Sequence, residues 1–417
     1  MSRSTSTLAL VLLLAGAGGV TAQATSPQPP PGTPRPAGQP PAGAPAAAPA
    51  APGAAAALAG QGAARVAPPT GPMEEPPFHD PVMIRAGKTY YAFGTGRGVS
   101  VWSSPDMKVW TSVGPALPTP PEWIKGAGPS NRGDMWAPDI IERGGTYYLY
   151  YAVSAFGRNT SAIGVATNVT LDPADPRFKW QDRGMVVQSV PGRDMWNAID
   201  PNVVIDSAGT PWLDFGSFWG GIKMVKLDSA LTRLAQPEDW RTIAARARYW
   251  KLDERDAGDA ANPELKYDSI YPARITQANQ AMQNGAIEGP IIFYKAPYWY
   301  LFASWDRCCR GVESSYKVVV GRSKDITGPY VDREGEKMIY GGGSLVVQGL
   351  GESPRWAAGG HNDAVTFDGV DYLVFHAYDK TDQGRSKLLI RPITWDRHGW
   401  PSVEVDAPMA AVTKGKK

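Results

Sequence analysis

The 417-residue sequence is short of cysteine, of histidine and of net charge: it has 2 Cys, 4 His and a formal charge of +2. Its two cysteines are adjacent, Cys308 and Cys309. That excludes a disulfide scaffold and a cysteine-ligated zinc site. The near-balance of 42 basic and 40 acidic side chains leaves no basic face of the kind nucleic acid or an anionic membrane requires. Residues 1–72 contain no Asp, Glu, Phe, Trp or Tyr, and only Arg3, Arg35 and Arg65 as charges. The rest of the chain therefore has 39 basic and 40 acidic residues and holds all 42 aromatic side chains. That aromatic share is well above ordinary usage.

The sequence also lacks a membrane-spanning run. Its apolar stretch Leu8–Ala15 is too short to cross a bilayer. With Arg3 before it and Ala22-Gln23-Ala24 after it, this stretch has the pattern of a secretory signal peptide, predicted over 1–24. No Cys follows it, which argues against lipid attachment. The product is expected to be secreted or periplasmic. Residues 25–72 are almost entirely Pro, Ala and Gly. Such a segment cannot bury enough apolar surface to offset its ordering entropy, so it reads as a disordered, semi-rigid extension. Residues 73–417 remain as the folded domain.

What is present in that domain is a repeat. Turn signals precede aromatic and β-branched runs at Gly87–Gly94, Gly145–Tyr151, Gly209–Gly216, Ala296–Ala303 and Gly369–His376. A short apolar strand precedes each run, as at Val82-Met83-Ile84 and Ile291-Ile292-Phe293, and another follows, as at Val318-Val319-Val320 and Leu388-Leu389-Ile390. Five such units predict an all-β, five-bladed β-propeller. A two-sheet sandwich is the alternative, but it does not require five copies of one motif. Residues 232–286, between the third and fourth units, read as an insertion.

The innermost strands of a propeller begin at one mouth. Those starts read His79-Asp80-Pro81, Trp136-Ala137-Pro138, Ile199-Asp200-Pro201, Glu288-Gly289-Pro290 and His361-Asn362-Asp363. A single Asp-Pro is ordinarily a turn former. Three carboxylates converging on one funnel repel one another, which points to chemistry or ion binding. Glycosidic cleavage needs one carboxylic acid to protonate the leaving oxygen and a second carboxylate to attack or activate water, and a third close to the acid would raise its pKa. Nearby Trp and Tyr offer stacking surfaces for sugar rings. No organic cofactor is called for.

At this point the chain resembles glycoside hydrolase family 43. The resemblance is carried by Phe78–Pro81, Ile199–Pro201 and Ile287–Pro290. Within the family, Met135–Asp139, Ser154–Gly164, Phe215–Gly221, Cys308–Gly311 and Gly359–Asn362 resemble endo-α-1,5-L-arabinanases. It spans about residues 76–400. It implies an inverting hydrolase of arabinan, with Asp80 as general base, Glu288 as general acid and Asp200 as modulator of the acid's pKa. It implies a calcium ion in the central channel touching His361, taken as the equivalent of His79. Trp136, Phe156 and Trp219 are candidate sugar platforms, with blade packing as the competing role. Asn159 and Ser217 are candidate hydrogen-bond donors to substrate. Cys308 and Cys309, as a strained ring or as two thiols, would form an apolar wall beside the sugar.

Other readings stay open on sequence alone. An exo-acting arabinofuranosidase or β-xylosidase would share the three acids. A glycan-binding propeller without catalysis is a different class, and the unequal repeats argue against it. His376 reads as a packed, hydrogen-bonded residue and His398 as a solvated turn residue. A monomer is expected, with arabinan or its oligosaccharides as partner and neither nucleic acid nor a membrane.

Overall fold

Each aromatic run is the second strand of an antiparallel meander whose first strand lies before the turn. The turns use the residues that tight hairpins require. Gly144-Gly145 and Asp368-Gly369 each supply two successive positive φ angles, at 62° and 79° and at 51° and 82°. The chain was analysed as a computed structural model that describes residues 71–407 except 129–130, 132, 192, 195 and 247–284. The signal peptide over 1–24, nearly all of the extension over 25–72 and most of the 232–286 insertion lie outside the described residues.

In chain order, the first unit comprises β1 (Val82–Ala86), β2 (Thr89–Gly94), β3 (Gly96–Arg97), β4 (Ser100–Ser104) and β5 (Thr111–Pro115). The second has β6 (Asp134–Arg143), β7 (Thr146–Val153), β8 (Ser161–Asn168) and β9 (Gln181–Ser189). The third has β10 (Asn202–Ile205), β11 (Pro211–Phe215), β12 (Ile222–Lys226) and β13 (Trp240–Ala244). The fourth has β14 (Ile287–Lys295), β15 (Tyr298–Trp305), β16 (Lys317–Ser323) and β17 (Ser344–Leu345). The remaining strands are β18 (Val347–Gln348), β19 (Trp356–Phe367), β20 (Val370–Asp379), β21 (Arg385–Pro392), β22 (Thr394–Trp395) and β23 (Pro401–Glu404). The sheets are β1-β2-β4-β5, β3-β6-β7-β8-β9, β10-β11-β12-β13, β14-β15-β16-β17, β19-β20-β21 and β18-β23-β22.

The fold is an all-β propeller, with one correction: five repeats predict five blades, and six sheets form. The reason lies at the chain ends. The segment before β1 takes the free edge of β21: Phe78 N–H donates to the Ser386 carbonyl (3.2 Å) and Leu388 N–H donates to the Pro76 carbonyl (3.1 Å). The last strands therefore pair elsewhere, β23 lying parallel to β18. Val347, Val403 and Val405 of this sixth region pack on Phe302, Val318 and Phe375. It carries no aromatic-pair hairpin, so the repeat does not reveal it.

Most aromatics fill the spaces between neighbouring sheets. Phe93 and Tyr151 meet between the first and second, and Tyr150, Trp196 and Phe215 between the second and third. Tyr90, Trp102 and Tyr372 join the first sheet to the β19–β21 meander. Full burial of one such side chain contributes roughly 1.5–3 kcal/mol, so packing accounts for most of the aromatic excess. Polar tethers add register. Asp139 Oδ2 accepts from Val203 N–H (2.6 Å), Asn202 Oδ1 from Ile292 N–H (3.0 Å) and Asp363 Oδ2 from Met83 N–H (2.8 Å). The three tethers occupy the same position, just after the kink at each strand entry, and the last links the final meander to the first sheet. Burial raises Asp139 to about 6 and Asp363 to about 7. No helix among the described residues is long and apolar enough to cross a membrane.

Candidate active site

Every innermost strand enters through a residue with positive φ: Asp80 (54°), Ala137 (37°), Asp200 (58°), Gly289 (57°) and His361 (48°). In β6, β14 and β19 the ladder register shifts across this point. A bulge of this kind re-aims the side chains around it, and a non-glycine residue persists there only when its surroundings hold it. The kink also corrects one alignment. His361 is the structural counterpart of Asp80 and Asp200, whereas His79 corresponds to Glu288 and Trp136.

Asp80 is held on both carboxylate oxygens. Thr95 Oγ1 donates to Oδ2 (2.5 Å) and itself accepts from Ala137 N–H (2.8 Å). Oδ1 lies 3.2 Å from His361 Nδ1. The Asp80 N–H donates to His376 Nδ1 (3.1 Å), so that nitrogen is unprotonated. The His376 proton is then on Nε2, which donates to Tyr378 Oη (3.2 Å). Burial pushes His376 and His79 below the ordinary histidine range. Burial also pushes Asp80 up, but His361, His376, His79 and the Thr95 bond together outweigh it and hold Asp80 at about 2. Of these influences, the Thr95 bond does not depend on the charge of the histidines.

Glu288 and Asp200 behave in the opposite way. Both are buried, at 8% and 4% exposure. Ser217 Oγ donates to Glu288 Oε2 (2.6 Å) and Tyr316 Oη donates to Oε1 (2.7 Å). Asp200 Oδ2 accepts from Gly289 N–H (3.2 Å), next to Glu288 in the chain. Burial raises both carboxyls, and the charge of Glu288 raises Asp200 further. The two groups act as one unit that keeps a proton above the usual carboxylate range. One mouth thus holds a carboxylate lowered by its surroundings and a buried pair raised by theirs, the separation that acid–base chemistry uses.

The sequence matches the family model of Glycosyl hydrolases family 43 over residues 70–401. The chain belongs to glycoside hydrolase family 43. It is 48% identical over 326 residues to the extracellular exo-α-(1→5)-L-arabinofuranosidase ArbA of Cellvibrio japonicus, covering 78% of this chain and 86% of that protein. It is 39% identical to the extracellular endo-α-(1→5)-L-arabinanase 1 of Bacillus subtilis, covering 78% and 87% respectively. Among solved structures, the Cellvibrio cellulosa α-L-arabinanase complexed with arabinohexaose superposes with a TM-score of 0.68 at 47% identity, covering 79% of this chain and 96% of that one.

In this family 43 hydrolase the remaining candidates separate by what they touch. The connections between second and third strands lie at the same end as the strand entries, and they carry Phe156, Ser217, Trp219, Cys308 and Cys309. Phe156 is 60% exposed, while Trp136 and Trp219 are half-buried. Trp219 (φ 43°) follows Phe218 (φ 58°) in a left-handed turn closed by Gly221 N–H donating to the Phe218 carbonyl (2.9 Å). Cys308 and Cys309 are bonded to each other, and both are half-buried.

Two of the side chains named for substrate make hydrogen bonds within the protein. Ser217 donates its hydroxyl to Glu288 Oε2. Asn159 donates both amide hydrogens, to the carbonyls of Asp194 (2.9 Å) and Trp196 (3.2 Å). Thr95, Tyr316 and Tyr378 went unnoticed in the sequence because no motif contains them. Strand register could have pointed to Ser304, opposite Glu288, whose Oγ accepts from His361 N–H (2.7 Å), and to His376, opposite Gly360, whose Nδ1 accepts from Asp80 N–H (3.1 Å).

Proposed function

We propose that this hydrolase cleaves α-1,5-linked L-arabinan with inversion, outside the cell that makes it. The observation that carries the reading is the split among the three carboxylates. Asp80, lowered by its surroundings, is the general base that takes a proton from water. Glu288, sharing a retained proton with Asp200, is the general acid that protonates the departing sugar oxygen. Asp200 raises the acid's pKa and orients it through the Gly289 N–H. Inversion places water between base and acid, which sets them roughly 6.5–9.5 Å apart. The arabinan substrate is supported by the relatives named above. Trp136, Phe156 and Trp219 are the proposed sugar platforms, and the Cys308–Cys309 ring the apolar wall beside them. Export is supported by the signal-peptide pattern and by the extracellular relatives. Residues 73–417 are the proposed catalytic domain.

The motif set favours internal cleavage. The higher identity to an exo-acting relative favours a second reading, release of units from chain ends. Time-resolved products from debranched arabinan separate the two. Oligosaccharides in the first samples support internal cleavage, and products of one size alone from the start overturn it. In the same assay Glu288→Gln is expected to lower turnover by about a thousandfold or more while retaining oligosaccharide binding. An unchanged rate would reject the acid assignment. Proton NMR of the first anomer released reads inversion directly.

Calcium is proposed for the channel mouth. Asn362, beside His361, is 1% exposed, and neither its amide oxygen nor its nitrogen has a partner. An orphaned buried amide oxygen fits a hard cation, and a single protein oxygen fits one that keeps most of its water. Asn362 and His361 are the residues that would hold it. Its charge would favour the ionised forms of the nearby carboxylates.

A further inference from the structure

We infer that the Cys308–Cys309 ring positions both arms of the catalytic machinery, apart from any contact with sugar. The inference rests on the roles proposed for Asp80 and Glu288. One arm runs through hydrogen bonds. Cys309 N–H donates to Tyr378 Oη (2.7 Å), Tyr378 Oη accepts from His376 Nε2 (3.2 Å), and His376 Nδ1 accepts the N–H of Asp80 (3.1 Å). The other arm runs through packing. Cys308 lies against the buried cluster of Tyr316, Ala358 and Tyr378, and Tyr316 donates to Glu288 (2.7 Å). The loop meets the same phenol a second time through Ser314, whose Oγ also accepts from Arg310 N–H (3.1 Å).

The ring explains why the first arm is aimed. Cys309 has φ 68°, a conformation uncommon for a residue with a side chain. A bond between adjacent sulfurs closes a small ring around the 308–309 peptide and limits how far that peptide can turn. Opening the ring frees Cys309 to return to negative φ, which swings its N–H off the phenol. Tyr378 then loses a fixed donor, the acceptor that holds the His376 Nε2 proton is no longer fixed, and the His376 Nδ1 bond to the Asp80 N–H that completes the tautomer loses its support. Two histidine nitrogens and one phenol connect the ring to the base, and no water or ligand is needed in the chain.

The test opens the ring and reads both kinetics and tautomer. Dithiothreitol gives two electrons and two protons to the disulfide, leaving two thiols and its own cyclic disulfide, and alkylation counts the thiols released. With arabinan as substrate, ring opening in the wild type and the double substitution Cys308→Ala/Cys309→Ala are each expected to lower kcat about tenfold or more, with a smaller change in KM. Dithiothreitol should leave the double variant unaffected. Nitrogen-15 NMR of His376 is expected to show unprotonated Nδ1 in the closed form and loss of that fixed pattern in the open form. Should the double variant not fold, Tyr378→Phe keeps the ring, removes the phenol and should reproduce both changes. Confirmed opening with kcat and the His376 signals unchanged overturns the inference. So does a rise in KM alone, which leaves the ring only its role as a wall. If oxidised wild type does not cleave arabinan, the substrate reading fails, and the His376 spectra still decide whether the ring sets the tautomer.

Discussion

Tyr316 shows how a single side chain tunes Glu288, the proposed acid. Its hydroxyl donates to Glu288 Oε1, which favours the charged carboxylate and opposes the effect of burial. Tyr316→Phe removes that bond, so the Glu288–Asp200 pair should hold its proton to higher pH. The alkaline limb of the kcat/KM profile is then expected to move upward. The acid limb follows Asp80 at about 2 and should stay where it is. A pH–rate profile in which the alkaline limb moves downward, or only the acid limb moves, would reject this account. The three acids were legible in the sequence because each sits in a short motif at a strand entry. Tyr316 and Thr95 were not, because their partners lie 28 and 15 residues away and only strand pairing brings them together.

At the scale of the element, the kink at each strand entry is the feature that matters. At Gly289 it has two requirements. The φ of 57° suits glycine, and a Cβ there would lie 3.2 Å from Cγ and Nδ1 of His361. Gly289→Ala should therefore cost about 1–2 kcal/mol of stability from its backbone alone. It should also lower kcat about tenfold or more by displacing His361 and the N–H that binds Asp200. Gly369→Ala is the control: φ is 82° in a hairpin turn with open space around the added Cβ. It should cost comparable stability with kcat intact. Denaturant unfolding and turnover, measured on both variants, separate backbone cost from site damage. Equal activity in the two would show that the crowding at His361 is harmless.

The described residues of the folded unit form a closed circuit of sheets, and its centre belongs to no single one. Closure depends on the Pro76–Phe78 segment along β21 and on Asp363 reaching Met83. The proposed calcium site belongs to this scale, since Asn362 is 1% exposed at a strand entry where the sheets converge. A ligand that binds only the folded state stabilises it by about 2.7 kcal/mol at a hundred times its Kd. After chelator treatment, adding calcium is expected to raise Tm by a few degrees, and Asn362→Ala should diminish the rise. A melting curve indifferent to both chelator and calcium would remove the ion from the description. The aromatic repeats announced the propeller because each marks one meander. They missed the sixth sheet because its short strands contain no paired aromatics, and the β21 edge is taken by the Pro76–Phe78 segment rather than by the last strands.

The sequence by itself determined the all-β class, the repeated meanders and the three carboxylates at the strand entries. These follow from local rules: turn residues, alternation and short motifs act over a few neighbours. Tertiary structure alone decided that Asp80 is lowered while Glu288 and Asp200 are raised, that His361 stands where Asp80 does, that Asn159 and Ser217 hydrogen-bond within the protein, and that two adjacent cysteines meet Tyr378 and Tyr316. Protonation and positioning depend on burial and on partners far apart in the chain, and those exist only once the sheets have closed around a common mouth.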